Sequence, residues 1–236
     1  MLIDQYYKES DGKVSFTKLQ GSDFAKKVAD DFNPLHDTNA KRFCVPGDLL
    51  FSVILSKYGI SKHMEFTFSG MVTEEVNLIL PEDSPSLDIV GDNEKEYLSI
   101  QRSGEVSTSA DLINSVTLSY VAFSGHTFPH VLVPLMEDKG MMINPARPMV
   151  MYQSMLIELN HFDLTDIKLQ LDEQKTSFEV NGKRGKICLA FNLMADNTIV
   201  GRGEKHMLAS GLKPFEKDAM DTVILDYDQW KKNYFS

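Results

Sequence analysis

Residues 47–57, Gly-Asp-Leu-Leu-Phe-Ser-Val-Ile-Leu-Ser-Lys, constrain this chain most. Pro46 and Gly47 suit a helix start, Asp48 complements the positive end of a helix, and Leu49, Leu50, Phe51, Val53, Ile54 and Leu55 leave almost no polar face. A helix that is apolar nearly all round must be buried, so the rest of the chain has to wrap it. After Gly59 the pattern predicts strands at 64–68, 72–80, 87–90, 97–101 and 115–123, the last from Val116, Leu118 and Tyr120 alternating with Ser115, Thr117 and Ser119. Glu82-Asp83-Ser84-Pro85 and Gly91-Asp92-Asn93 supply turns between them. One buried helix followed by several strands is an α+β signature.

The same order recurs. Residues 126–148 are irregular, broken by Pro129, Pro134, Gly140, Pro145 and Pro148, and 149–160 then return to a mostly apolar helical run. Strands follow at 167–171, 177–180, 187–194 and 198–209, with Asn181-Gly182 and Asp196-Asn197 as hairpin turns. The expected organisation is a unit over 1–125, a linker over 126–148 and a second unit over 149–236. A single helix covers only one sheet face, so two such sheets joined edge to edge give a fused pseudo-dimer.

A net charge of −10 excludes a general nucleic-acid or anionic-membrane binding face, and no run approaches the roughly 18 apolar residues of a membrane span. The two cysteines, Cys44 and Cys188, argue against a disulfide framework. Met1 to Tyr7 lacks a basic segment followed by an apolar one, so the expected location is the cytoplasm.

Asp31-Phe32-Asn33-Pro34-Leu35-His36 carries the chemistry. A short helix over 23–29, with Ser22 as its cap, precedes it, and Pro34 disfavours helical geometry at Asn33, forcing a turn that can bring Asp31 and His36 together. A carboxylate and an imidazole sharing one water can deliver one proton and remove another, which is what adding water across an activated double bond requires.

These residues resemble the motif of the MaoC-like dehydratases and R-specific enoyl-CoA hydratases. That motif is an acidic or small residue, then Asp-x-Asn-Pro-Leu-His, then a Gly opening a long buried helix; here it is Asp30, Asp31 to His36, and Gly47. The resemblance spans about residues 21–57 and implies a double hot-dog fold, in which curled antiparallel sheets surround the central helices. It also implies syn hydration of an enoyl thioester to a 3-hydroxyacyl thioester, or the reverse, with no metal and no cofactor. Asp31 would take the water proton, His36 would supply one to C2, Asn33 would orient the pair, and the Gly47 amide would face the thioester carbonyl. The chain departs from the family in the short segment 37–46, in Pro46 before the Gly and Asp48 after it, and in carrying the motif in its first half only. One site per chain is expected.

The partner implied is an acyl-CoA or carrier-linked substrate, and assembly is expected as a monomer or a homodimer. Lys41 and Arg42 near the motif, and Lys183, Arg184 and Lys186 after the Asn181-Gly182 turn, are candidate phosphate contacts or solvated charges. His63, His126, His130, His161 and His206 show neither a paired-histidine motif nor a cysteine at metal-ligand spacing, so no metal site is expected. Two other functions compete: a hot-dog protein that binds acyl thioesters or a partner without turnover, and an acyl-CoA thioesterase.

Overall fold

The computed structural model describes residues 2–235; Met1 and Ser236, the outer ends of the two expected units, lie outside the described residues. Among the described residues the α-helices are α1 (Lys18–Lys27), α2 (Gly47–Tyr58), α3 (Ala110–Gly125), α4 (Leu132–Asp138) and α5 (Lys217–Tyr234). The strands are β1 (Lys8–Ser10), β2 (Lys13–Ser15), β3 (Ile60–Phe68), β4 (Leu78–Ile79), β5 (Ser86–Gly91), β6 (Glu96–Ser107), β7 (Met141–Met142), β8 (Val150–Leu159), β9 (Lys168–Leu171), β10 (Ser177–Asn181), β11 (Arg184–Ala195), β12 (Thr198–Ser210) and β13 (Lys213–Pro214). None of the described helices is long and apolar enough to cross a membrane.

One antiparallel sheet runs β1-β2-β4-β5-β6-β3-β8-β12-β11-β10, with β9 also paired to β11. Its seam is β3 against β8, with Met64 opposite Ile157 and Thr67 opposite Ser154. The expected edge-to-edge fusion is present: β3-β6-β5-β4 extends to one side of the seam and β8-β12-β11-β10 to the other. The helices α2 and α3 lie together in one core. Phe51 of α2 meets Phe66 of β3 and Tyr120 of α3 edge-on, at centroid distances of 5.2 and 4.7 Å.

Several expected elements differ. The segment 115–123 is helix, within α3: Ser109 caps it, and the buried residues Leu112, Ile113, Val116, Tyr120 and Val121 follow helical spacing. The segment 149–160 is strand, forming the central β8 between β3 and β12. The helix-then-strands order therefore recurs from residue 110, and the expected boundary after 125 cuts α3 away from the strands that follow it. The expected linker 126–148 contains α4 and β7. Within 72–80 only β4 is strand. The helix before the motif begins earlier than expected, where Thr17 and Gln20 form a reciprocal capping box. The helix α5 was not anticipated.

A second, smaller core joins Leu132 and Met136 of α4, Phe178, Ile187 and Met207 of the sheet, and Met220 of α5. From there α5 runs back to the loop after α1.

Candidate active site

The segment 28–46 is held as a compact loop by local hydrogen bonds. The Asp31 N–H donates to the Ala25 carbonyl at 2.8 Å, folding the chain back onto α1. Asp30 takes a left-handed φ of 56°, and its carboxylate is gripped by Lys231 of α5 and by His126 Nε2 at 3.1 Å. The Asn33 N–H donates to Asp31 Oδ1 at 2.9 Å, while Asn33 Oδ1 accepts from the Leu35 N–H and caps the 3-10 turn Pro34–His36. Asn33 thus orients Asp31 through its backbone and places His36 through its side chain.

His36 Nε2 lies 3.8 Å from Asp31 Oδ2, a gap that one water can bridge. Its Nδ1 is 2.7 Å from the Cys44 carbonyl oxygen. That carbonyl can only accept, so Nδ1 carries hydrogen, and in the neutral ring Nε2 is the acceptor facing Asp31. The short segment 37–46 serves to bring Cys44 back: the Cys44 N–H donates to the Leu35 carbonyl at 3.1 Å. Asp31 keeps 29% of its side-chain surface and His36 13%. Desolvation by surrounding protein raises the Asp31 pKa, opposed by His36 and by the Asn33 N–H. Burial also pushes the Cys44 thiol up to about 11, which makes it a poor nucleophile.

Gly47 begins α2, and its N–H, like that of Asp48, is among the first amides of the helix and has no acceptor within it. The glycine is required by packing: a Cβ there would fall 2.6 Å from Tyr152 Cδ1, whose ring stacks on Phe68 at a centroid distance of 4.2 Å. Asp48 is buried and paired. Its Oδ2 accepts from Ser124 Oγ of α3 at 2.5 Å, and its Oδ1 lies 3.3 Å from Lys205 Nζ of β12. Lys205 also donates to Ser124 Oγ and stands 4.2 Å from the Tyr152 ring centroid. Tyr152 and Tyr120 share a hydrogen bond between hydroxyls, and burial raises both pKa values well above the ordinary tyrosine range. The acid beside the helix start is therefore neutralised by a lysine from the other half of the chain.

The helix α5 covers the loop. Tyr227 Oη accepts from the Phe32 N–H at 3.1 Å and donates to the Asp30 carbonyl at 3.3 Å. Phe32 sits among the rings of Tyr227, Tyr234 and Phe235.

Among the expected site residues, the structure brings together Asp31, Asn33 and His36, and places Gly47 at the start of α2. Lys41 and Arg42 are exposed on the 37–46 loop. Lys183, Arg184 and Lys186 are exposed on the β10–β11 hairpin at the sheet edge. No hydrogen bond or ion pair joins any of these five to the motif among the described residues. Sequence reasoning missed Lys205, Ser124, Tyr152 and Tyr227. The available signal for Lys205 was a charged residue on the inward phase of a strand, in step with Gly203, Met207 and Ala209.

Among solved structures, a "putative thioesterase II" from Thermobifida fusca YX superposes with a TM-score of 0.50 at 6% identity, covering 88% of this chain and 97% of that one. An acyl-CoA thioesterase II from Mycobacterium marinum gives 0.45 at 9% identity over 92% and 100%. A MaoC-like dehydratase gives 0.39 at 7% identity over 85% and 96%. The first of these likenesses, with the sheet order above, shows the double hot-dog fold. No curated protein matches the sequence. The family model described as "Protein of unknown function (DUF3581)" matches residues 1–218, from before β1 to the first turn of α5, and the chain belongs to that family.

Proposed function

We propose that the protein is a hydratase or dehydratase acting on an enoyl or 3-hydroxyacyl thioester at Asp31 and His36. The observation that carries this is the Cys44 carbonyl on His36 Nδ1, which directs Nε2 toward Asp31 Oδ2 across a gap of 3.8 Å. The pair works while it holds one exchangeable proton. With that proton on Asp31, neutral His36 Nε2 takes a proton from the bridging water, the water oxygen bonds to C3, and the Asp31 carboxyl protonates C2. With the proton on His36, the roles reverse: Asp31 is the base and the imidazolium is the acid. Dehydration retraces either path. Charge developing on the thioester oxygen has the amides of Gly47 and Asp48 as donors.

A second possibility is binding without turnover, favoured by the Tyr152 ring that packs directly on Gly47. One experiment separates the two. The protein is incubated with short and medium enoyl-CoAs while enoyl absorbance and free thiol are followed. Loss of absorbance without thiol release is expected, and Asp31→Asn should lower the rate by about 100-fold or more. Thiol release would establish a thioesterase instead; binding with neither signal at any chain length would leave the non-catalytic reading.

A further inference from the structure

On the sheet face opposite Lys205, β11 and β12 bring together a thiol, a carboxylate and an imidazole. Cys188 and His206 are direct cross-strand partners, and Glu204 is on the same face two residues before His206. One ligand atom from each lies within 4.8 Å of the other two, and all three side chains are half-buried. Glu204 Oε2 is 3.0 Å from His206 Nε2. The β8–β12 register shifts between His206 and Met207, an irregularity of the kind that re-aims side chains. Glu204 also lines a groove of about 310 Å³, together with Leu156, Glu158, Ala190, Arg202 and Gly203.

We propose that Cys188, Glu204 and His206 form a site for a single borderline-soft divalent cation of the Zn2+ class. Sulfur, nitrogen and carboxylate donors together disfavour Mg2+ and Ca2+, which take oxygen ligands, and suit tetrahedral Zn2+ or Co2+. Three protein ligands leave one coordination position for water or a small anion. Metal binding displaces the Cys188 proton to solvent, and the added positive charge is balanced by thiolate and carboxylate. The donors come from different strands, so they show no short spacing along the chain; strand register assembles them.

The test uses the full chain without a histidine tag, reduced and then freed of reductant. Titration with Zn2+ should show one equivalent bound, and Co2+ should give a thiolate-to-metal charge-transfer band. Cys188→Ser should remove the band, and His206→Ala or the milder Glu204→Gln should weaken Zn2+ binding by about tenfold or more. Cys44→Ser should change neither readout, and circular dichroism verifies that each variant is folded. Absence of Zn2+ binding by the folded wild type would overturn the assignment, as would binding undiminished in Glu204→Gln together with either other variant. Loss of the band in Cys44→Ser alone would also overturn it.

Discussion

Asp31 shows what the site costs at the scale of one residue. Desolvation raises its pKa in the folded protein, so across the window from the ordinary carboxylate range up to the folded value the native state binds more protons than the unfolded chain. Stability from this group is therefore greatest below that window and falls as pH rises through it. Asp31→Asn removes the ionisation while its side-chain oxygen can still accept from the Asn33 N–H. The variant should match or exceed wild-type melting temperature at neutral pH, with the difference shrinking as pH is lowered through the window. A variant less stable at neutral pH than at acid pH, relative to wild type, would contradict this. Lys205 behaves oppositely. It and Asp48 have only 9% and 12% of their side-chain surfaces exposed, and removing one partner of such a pair typically costs about 3–5 kcal/mol. Lys205→Met should lose stability on that scale in urea unfolding, and Lys205→Met with Asp48→Asn should recover part of it; additive losses would show that the two charges are not coupled. The turn that brings Asp31 and His36 together was legible in the sequence because its residues are contiguous. Lys205, Ser124 and Tyr152 were not, because only the tertiary fold delivers them to Asp48.

At the scale of elements, the misread segments share a cause. The α3 sequence is rich in Ser, Thr and β-branched residues, and the short alternation at 115–120 mimics a strand; yet Leu118 is 40% exposed while Val116 and Tyr120 are fully buried, which fits helical spacing. In β8, good helix formers such as Met, Gln, Leu and Glu are placed in a strand because neighbours on both sides complete its hydrogen bonding, and sheet context outweighs intrinsic preference. The helix α2 was legible because 49–55 is apolar except for Ser52, whose hydroxyl donates to the Asp48 carbonyl within the helix, and such a run has no other stable placement here. The position of α3 is fixed at its last residue. A Cβ on Gly125 would lie 1.6 Å from the Ala29 carbonyl oxygen, so the end of α3 abuts the chain leaving α1 and sets Ser124 against Asp48. Gly125→Ala cannot be absorbed by a flexible side chain, since the obstacle is backbone. It should destabilise by about 1–3 kcal/mol or more in chemical denaturation and should also impair the motif loop. A variant of wild-type stability would show that the α1–α3 junction yields more readily than its packing implies.

At the scale of the whole molecule, two effects oppose each other. A chain of 236 residues is long enough to unfold through intermediates, and the smaller core under α4 and α5 is a natural candidate for early loss. Against this, the halves share one sheet across the β3–β8 seam, and the Asp48–Ser124–Lys205 cluster takes one residue from α2, one from α3 and one from β12. The helix α5 is tied to the first half as well, through Tyr227 on the Phe32 N–H and the rings around Phe32. Freeing α5 alone would strand the buried Phe32 amide and expose that aromatic cluster, and an unpaired buried donor costs about 1–3 kcal/mol before any apolar area is counted. Cooperative coupling should therefore win. Trp230, the single tryptophan, lies on α5 and reports its release, while far-UV circular dichroism reports the sheet and central helices. In equilibrium urea unfolding the two signals should follow one transition with coincident midpoints and slopes. A tryptophan transition at lower urea than the dichroism change would mean that α5 leaves first, and the motif loop would then open before the fold is lost.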